Sequence, residues 1–202
     1  MKIKICGLDP TRDVQLCINR KVSYLGFVFY EKSPRNVRLQ DIKVLSKYNK
    51  KSSAFVAVTV NPKDEFIKKN LTGKFDFIQL HGSETTDRVT EIKNMGFKVI
   101  KAIKINEEKD IEKYKEFRNA DVILFDTPGM EKSLEFPKNL IDKLPLGEKY
   151  ALAGSISEDN VANIFKLGVN FFDLSSSLEK QLGYKDHLKI KRFINKINEL
   201  KS

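Results

Sequence analysis

Short strand-like segments alternate with helix-like segments along the whole of this 202-residue sequence. The repeat is roughly 25 residues long, which is the length of a βα unit. Eight strands are predicted, at residues 2–6, 24–29, 54–60, 75–80, 99–105, 122–126, 150–153 and 171–174. Apolar residues at helical spacing fill the intervals between them. Eight consecutive βα units with no linker between them predict an α/β fold, a (β/α)₈ TIM barrel, as a single domain over residues 1–202.

The alternative arrangement of such units is a doubly wound open sheet. Open sheets of that kind usually carry a glycine-rich fingerprint directly after the first strand. This chain has Gly7-Leu8-Asp9 at that place, which does not supply the fingerprint. The sequence therefore favours the closed barrel.

The chain is basic, with 37 Lys and Arg against 27 Asp and Glu and a formal net charge of +10. The lysines are dispersed, and the densest runs are only the pairs Lys50-Lys51 and Lys68-Lys69. A dispersed basic surface aids solubility and weakly steers anions. The composition therefore suits a small anionic ligand and does not favour nucleic acid as a partner.

The chain has two cysteines, Cys6 and Cys17, which provide neither a disulfide framework nor metal-ligand spacing. Its longest apolar runs, residues 24–30 and 54–60, are too short to span a bilayer, and no apolar signal region precedes the first strand. These features predict a cytoplasmic protein with no metal and no membrane partner. A monomer or a homodimer is the expected form.

Polar side chains stand at or just after the ends of the predicted strands. In a barrel enzyme these ends meet at one face, where the active site forms. The candidates are Cys6, Arg35, Gln79, His81, Asp126, Gly154, Ser155, Asp173, Ser176 and Ser177. Each alone also fits a purely structural interpretation: a buried thiol, a loop cap, a solvated arginine or a turn serine.

As a set, these residues indicate a chemistry. Small residues that close strands seven and eight allow backbone N–H groups to approach an anion, which is where barrels commonly bind phosphate. Cys6 and Asp126 lie on different sides of the predicted rim, so that they can flank a substrate. A thiol and a carboxyl group suit the roles of general base and general acid.

The order and spacing of several motifs resemble one family over almost the whole chain, the phosphoribosylanthranilate isomerases of tryptophan biosynthesis. The matching stretches are Lys4-Ile5-Cys6-Gly7-Leu8, Gly26-Phe27-Val28-Phe29 with Ser33-Pro34-Arg35, Gln79-Leu80-His81-Gly82, Ala153-Gly154 with Glu158-Asp159-Asn160-Val161, and Asp173-Leu174-Ser175-Ser176 with Glu179 and Lys185-Asp186. The first and third stretches together are the most specific part of the resemblance.

The resemblance implies an Amadori rearrangement of a phosphoribosyl-anthranilate to its open-chain ketose amine, with no cofactor. It assigns the general acid to Asp126, the general base to Cys6 and the anthranilate carboxylate to Arg35. It assigns phosphate binding to Gly154-Ser155 and Ser176-Ser177. Gln79, His81 and Asp173 are assigned to substrate binding in supporting roles. Alternation along the first strand also places Lys4 on the side of Cys6, where it is expected to assist the thiol.

The sequence departs from the family at the phosphate loops and after Asp126. Ser155 and Ser177 stand where the family has glycines, and residues 127–137 keep little of the family's glycine-rich loop. Serine can retain the anion site only if the backbone there does not need a positive φ. We therefore expect an active enzyme with an altered phosphate site.

Two other functions remain as alternatives. One is another phosphosugar barrel of amino-acid biosynthesis, such as a related isomerase of histidine biosynthesis or indole-glycerol-phosphate synthase. Those enzymes use a carboxylate pair or a lysine with a glutamate, and Cys6 at the first strand end argues against both. The other is a non-catalytic phosphate-binding barrel, which Cys6 and Asp126 at matched strand ends disfavour.

Overall fold

The eight predicted strands close into one parallel barrel. The computed structural model describes residues 1–127 and 141–201. The barrel strands are β1 Lys2–Cys6, β2 Tyr24–Phe29, β3 Ala54–Thr59, β4 Phe77–Leu80, β5 Lys98–Lys104, β6 Val122–Asp126, β7 Tyr150–Ala153 and β8 Phe171–Leu174. Closure occurs because β1 pairs in parallel with both β2 and β8. The predicted barrel is confirmed, and the open sheet is excluded.

Helices of three kinds surround the barrel. The α-helices are Val14–Asn19, Asp64–Phe66, Thr86–Asn94, Val161–Lys166 and His187–Glu199, with a π-helical turn at Ile67–Leu71. Two segments expected as α-helices are 3₁₀ helices instead, at Leu39–Lys47 and Glu108–Lys115. The apolar spacing that predicts these helices (39, 42, 45 and 111, 114, 117) is compatible with either helix type, since the α-helix Thr86–Asn94 has the same spacing at Val89 and Ile92.

Alternation along the strands separates two hydrophobic cores. On β1, Ile3 and Ile5 face the helices and join the larger outer core. Inside the barrel, three aromatic side chains close the end at which the strands begin. Tyr24 stacks on Phe171 with ring centroids 5.0 Å apart and meets Phe77 edge-on at 5.3 Å. This aromatic layer fills the end of the barrel where the strands begin. The opposite end, where the strands finish, contains a cavity.

A two-stranded hairpin after β8 was not predicted. Its strands are β9 Glu179–Gln181 and β10 Tyr184–Lys185, and the turn between them contains Gly183 with a φ of 80°. In the sequence, the signal for this turn is Leu182-Gly183, which stands between two short polar segments. A Cβ on Gly183 would lie 2.8 Å from the carbonyl oxygen of Pro34, so the hairpin packs directly on the loop after β2.

Several predicted boundaries need correction. Strand β4 begins at Phe77 rather than at residue 75. In one continuous strand Phe75 and Phe77 would share a face, but Phe75 packs in the outer core and Phe77 inside the barrel. In the sequence, Ser157 followed by Glu158 and Asp159 is typical of a helix N-cap with an acidic first turn. The helix starts later, at Val161, and the Ser157 hydroxyl instead accepts a hydrogen bond from the backbone N–H of Asp159 in a local turn. The predicted loop beyond Thr127, and Leu140 of the next predicted helix, lie outside the described residues.

The described residues offer neither a membrane-spanning helix nor a metal cluster. Across residues 1–127 and 141–201, no helix is long and apolar enough to cross a membrane. In the same part of the chain, no three His, Cys, Asp or Glu side chains are grouped so as to hold a metal ion.

Candidate active site

A cavity of about 370 Å³ lies at the end of the barrel where the strands finish. All ten side chains or backbone positions predicted for the site line its wall: Cys6, Arg35, Gln79, His81, Asp126, Gly154, Ser155, Asp173, Ser176 and Ser177. They come from six different strand ends and loops, and only closure of the barrel brings them together. Apolar residues, among them Val28, Val58 and Leu124, complete the wall.

Cys6 is held at the end of β1 by its neighbours on both sides. The Ser175 hydroxyl donates a hydrogen bond of 3.2 Å to the Cys6 carbonyl oxygen, which ties the ends of β8 and β1 together. Gly7 has a φ of 76°, and a Cβ there would lie 2.5 Å from Cδ of Arg35. Glycine therefore permits the turn after Cys6 and leaves room for the arginine beside the thiol.

The electrostatic surroundings of Cys6 act in opposite directions. Burial raises the pKa of its thiol above the ordinary value, and the carboxylate of Asp173 raises it further. Lys4 and Lys185 lower it. The net result is a raised pKa, so formation of the Cys6 thiolate depends on nearby cations.

Asp126, at the end of β6, forms a hydrogen bond with His81 across the cavity. The distance from His81 Nε2 to Asp126 Oδ2 is 2.9 Å, and both side chains remain partly exposed. The contact fixes one carboxylate oxygen and leaves the other edge of the carboxyl group for a ligand. Sequence reasoning placed both residues in the site but did not predict that they touch, because their separation of 45 residues carries no local signal.

Arg35 is oriented by a carboxylate from the hairpin. Its Nε and one terminal nitrogen donate to the two oxygens of Glu179 at 2.6 and 2.9 Å. Lys185 donates to the same Glu179 at 3.0 Å and to the Ser175 carbonyl oxygen at 3.0 Å. A bidentate pair of this kind sets the plane of a guanidinium. Glu179 and Lys185 were noted only as parts of a motif, and the structure identifies them as the supports of Arg35.

Two buried side-chain oxygens have no hydrogen-bond partner in the part of the chain that the structure describes. They are Oε1 of Gln79 and Oδ1 of Asp173. The other Asp173 oxygen accepts a hydrogen bond of 2.8 Å from Lys4. Buried acceptors are almost always satisfied in folded proteins, so these two are exceptions, and both belong to residues that line the cavity.

Gly154 and Ser155 form the turn that follows β7. Gly154 has a φ of 111°, and a Cβ there would lie 2.0 Å from the hydroxyl of Thr127, so no other residue fits. Ser155 has a φ of 42°, whereas Ser177 does not have a positive φ. The condition for a harmless replacement of glycine by serine is therefore met at residue 177 and not at residue 155.

Ser155→Gly is expected to stabilise the protein, because a positive φ costs a non-glycine residue about 1–2 kcal/mol and the extra flexibility of glycine in the unfolded chain offsets only part of that. The matched change Ser177→Gly is expected to destabilise it by about 0.5–1 kcal/mol, since no strain is relieved. Urea unfolding of both variants measures the two free energies. Changes of the same sign in both variants would show that the φ of Ser155 carries no strain.

The chain is similar to known proteins over almost its whole length. A family model described as N-(5'phosphoribosyl)anthranilate (PRA) isomerase matches residues 3–196. The chain belongs to this family. The N-(5'-phosphoribosyl)anthranilate isomerase of Aquifex aeolicus is 37% identical, with 97% of this chain and 98% of that protein covered. The resemblance seen in the sequence motifs is thereby confirmed.

Solved phosphoribosylanthranilate isomerases share the fold. The crystal structure of the Thermotoga maritima enzyme matches with a TM-score of 0.87 and 28% identity, covering 98% of this chain and 99% of that one. A phosphoribosyl anthranilate isomerase in complex with reduced 1-(o-carboxyphenylamino)-1-deoxyribulose 5-phosphate matches with a TM-score of 0.84 at 28% identity, with the same coverage. That protein thus binds a phosphorylated, carboxylate-bearing ligand.

Proposed function

We propose that this chain converts N-(5-phosphoribosyl)anthranilate to 1-(2-carboxyphenylamino)-1-deoxyribulose 5-phosphate in tryptophan biosynthesis, with Asp126 as general acid and Cys6 as general base. The observation that carries this proposal is the cavity in which a thiol and a carboxyl group stand among binding groups for two anions. Membership of the isomerase family supports the reaction type.

The two ends of the substrate differ in chemistry, and so do the two ends of the cavity. Gly154, Ser155, Ser176 and Ser177 offer hydroxyls and backbone groups for the phosphate. Arg35, fixed by Glu179, offers a planar cation for the anthranilate carboxylate. Gln79 and Asp173 line the same cavity, and we assign them to the ribose that joins the two anionic ends of the substrate.

The first chemical step opens the ribose ring. Asp126 donates its proton to the ring oxygen, the bond from that oxygen to C1 breaks, and the nitrogen lone pair forms a protonated Schiff base at C1. His81 holds the Asp126 carboxyl group at 2.9 Å throughout. General acid catalysis is needed because an unprotonated alkoxide is a poor leaving group.

The second step removes the proton from C2. The Cys6 thiolate accepts it, and the C–H electrons form the C1–C2 double bond while the nitrogen loses its charge. The enolamine then loses its hydroxyl proton and gains one at C1 to give the ketone. At the end Asp126 has lost one proton and Cys6 has gained one, so one proton must pass from Cys6 to Asp126, directly or through solvent, before the next turnover.

The finer statements on partners and compartment are also proposals. We propose a cytoplasmic enzyme, since both Cys6 and Cys17 are free thiols. A small phosphorylated molecule is its ligand, and no nucleic acid or membrane takes part. The working form is a monomer or a homodimer made of single barrel domains over residues 1–202.

The test is the decay of anthranilate fluorescence when freshly prepared phosphoribosylanthranilate is added to the protein, with the ketose amine identified after borohydride trapping. Catalysed decay with that product supports the proposal. Decay at the uncatalysed rate would refute it. Parallel incubations with the substrates of the histidine-pathway isomerase and of indole-glycerol-phosphate synthase distinguish the other phosphosugar barrels, and we expect no turnover of either.

A further inference from the structure

Lys4 is buried inside the barrel, directly below the proposed base. Only 1% of its surface is exposed. Barrel interiors are filled mainly by branched apolar side chains, and a buried ammonium is costly unless it is paired. The reaction proposed above gives Lys4 no role, so its position calls for a separate explanation.

The ammonium of Lys4 pairs with a carboxylate on the face of β1 that also carries Cys6. Its Nζ is 2.8 Å from Oδ2 of Asp173, which is also the register partner of Lys4 across the β1–β8 pair. On the other side, β2 presents Gly26 opposite Cys6. A Cβ on Gly26 would lie 3.3 Å from the Lys4 Nζ and 3.1 Å from the Cys6 Cα. The missing side chain therefore leaves space for the ammonium beside the thiol.

The charged groups around Cys6 differ in what they can do for it. Lys4 comes from β1, Asp173 from β8 and Lys185 from β10; the titratable groups across the cavity are Arg35, His81 and Asp126. Lys185 is engaged by Glu179, and burial lowers its pKa. Burial also disfavours the Lys4 ammonium, but Asp173 and Cys6 outweigh it and the pKa of Lys4 is raised. Lys185 is thus committed to the Arg35–Glu179 group, whereas Lys4 lies two residues before Cys6 on the same face of β1.

We propose that Lys4 is a positioning residue for Cys6. The Lys4 ammonium stabilises the Cys6 thiolate. Its bond to Asp173 also neutralises a carboxylate that would otherwise disfavour that thiolate. This inference rests on the proposed role of Cys6 as general base. It explains why a lysine, an aspartate and a glycine occur together beneath the thiol, on β1, β8 and β2.

The test measures the rate of Cys6 alkylation by iodoacetamide against pH, with the site located by peptide mass mapping. It needs no substrate, so its outcome is independent of whether the proposed reaction occurs. In Lys4→Met we expect the midpoint of the pH profile to rise by about one unit, because a neighbouring opposite charge shifts a pKa by about 1–3 units. Below both midpoints, this is about a tenfold slower alkylation.

Two further variants keep the test decisive. Lys4→Met with Asp173→Asn replaces the ion pair by a neutral pair of similar shape, and its midpoint is also expected to rise. Lys101→Met with Glu84→Gln alters a second buried pair of 2.9 Å that lies outside the barrel, and should leave the midpoint unchanged. A wild-type midpoint in both Lys4 variants would overturn the proposal and leave the Lys4–Asp173 pair a purely structural role.

Discussion

Replacing Asp126 with asparagine is expected to lower kcat by about 10³-fold, within the range that a positioned general acid contributes. Asparagine keeps the shape of the side chain and a hydrogen bond to His81, but it has no acidic proton to give to the ring oxygen. Because the substrate is gripped elsewhere, at Arg35 and the phosphate loops, KM should change little. The fluorescence decay of phosphoribosylanthranilate measures both constants.

His81→Gln is the matched control for this prediction. Glutamine can still donate a hydrogen bond to the Asp126 carboxylate, which the ring nitrogen contacts at 2.9 Å. We expect a loss of about tenfold in kcat from poorer orientation, far less than the loss in Asp126→Asn. If His81→Gln were the more damaging of the two, the proton donor would be the imidazole and not the carboxyl group.

Replacing Cys6 with serine is expected to reduce kcat by at least about 10³-fold, because a serine hydroxyl is a far weaker acid than a thiol and supplies almost no anionic base at neutral pH. The change removes no bulk and keeps the Ser175 hydrogen bond, which uses the backbone carbonyl oxygen. Ring opening by Asp126 should survive in this variant, so substrate binding should be nearly intact in equilibrium measurements with the reduced product analogue.

Cys17→Ala provides the control for a thiol that has no part in catalysis. Cys17 is fully buried in the outer core, and burial raises its pKa to about 12. This variant should unfold at a lower temperature, because a small cavity is left in the core, and should keep the wild-type kcat. A loss of activity in Cys17→Ala equal to that in Cys6→Ser would attribute the Cys6 effect to folding.

The barrel was predictable from the sequence because its signal is local and repeated. Each strand carries its own β-branched or aromatic run, and β7 and β8 begin and end where the pattern placed them. The type of helix was less predictable. Apolar residues three positions apart occur in the α-helix Thr86–Asn94 as well as in the 3₁₀ helices at Leu39–Lys47 and Glu108–Lys115, so their spacing did not distinguish the two types.

The members of the site were predictable because a barrel gathers every strand end at one face. Their contacts were not, since these depend on the stagger between strands and on loop conformation. The His81–Asp126 bond and the Arg35–Glu179 pair join residues 45 and 144 positions apart. The positive φ of Ser155 was equally out of reach, because serine gives no signal of a left-handed backbone.

The most direct test of the account is a crystal structure of this chain with reduced 1-(o-carboxyphenylamino)-1-deoxyribulose 5-phosphate. We predict its C2 at about 3–3.5 Å from the Cys6 sulfur, which is the reach of a near-attack geometry. The Asp126 carboxyl group should contact the sugar oxygen released from the ring. The ligand carboxylate should lie on Arg35 and its phosphate between residues 154–155 and 176–177. A ligand bound with its two anionic ends exchanged, or with C2 remote from Cys6, would contradict the assignment of base and acid.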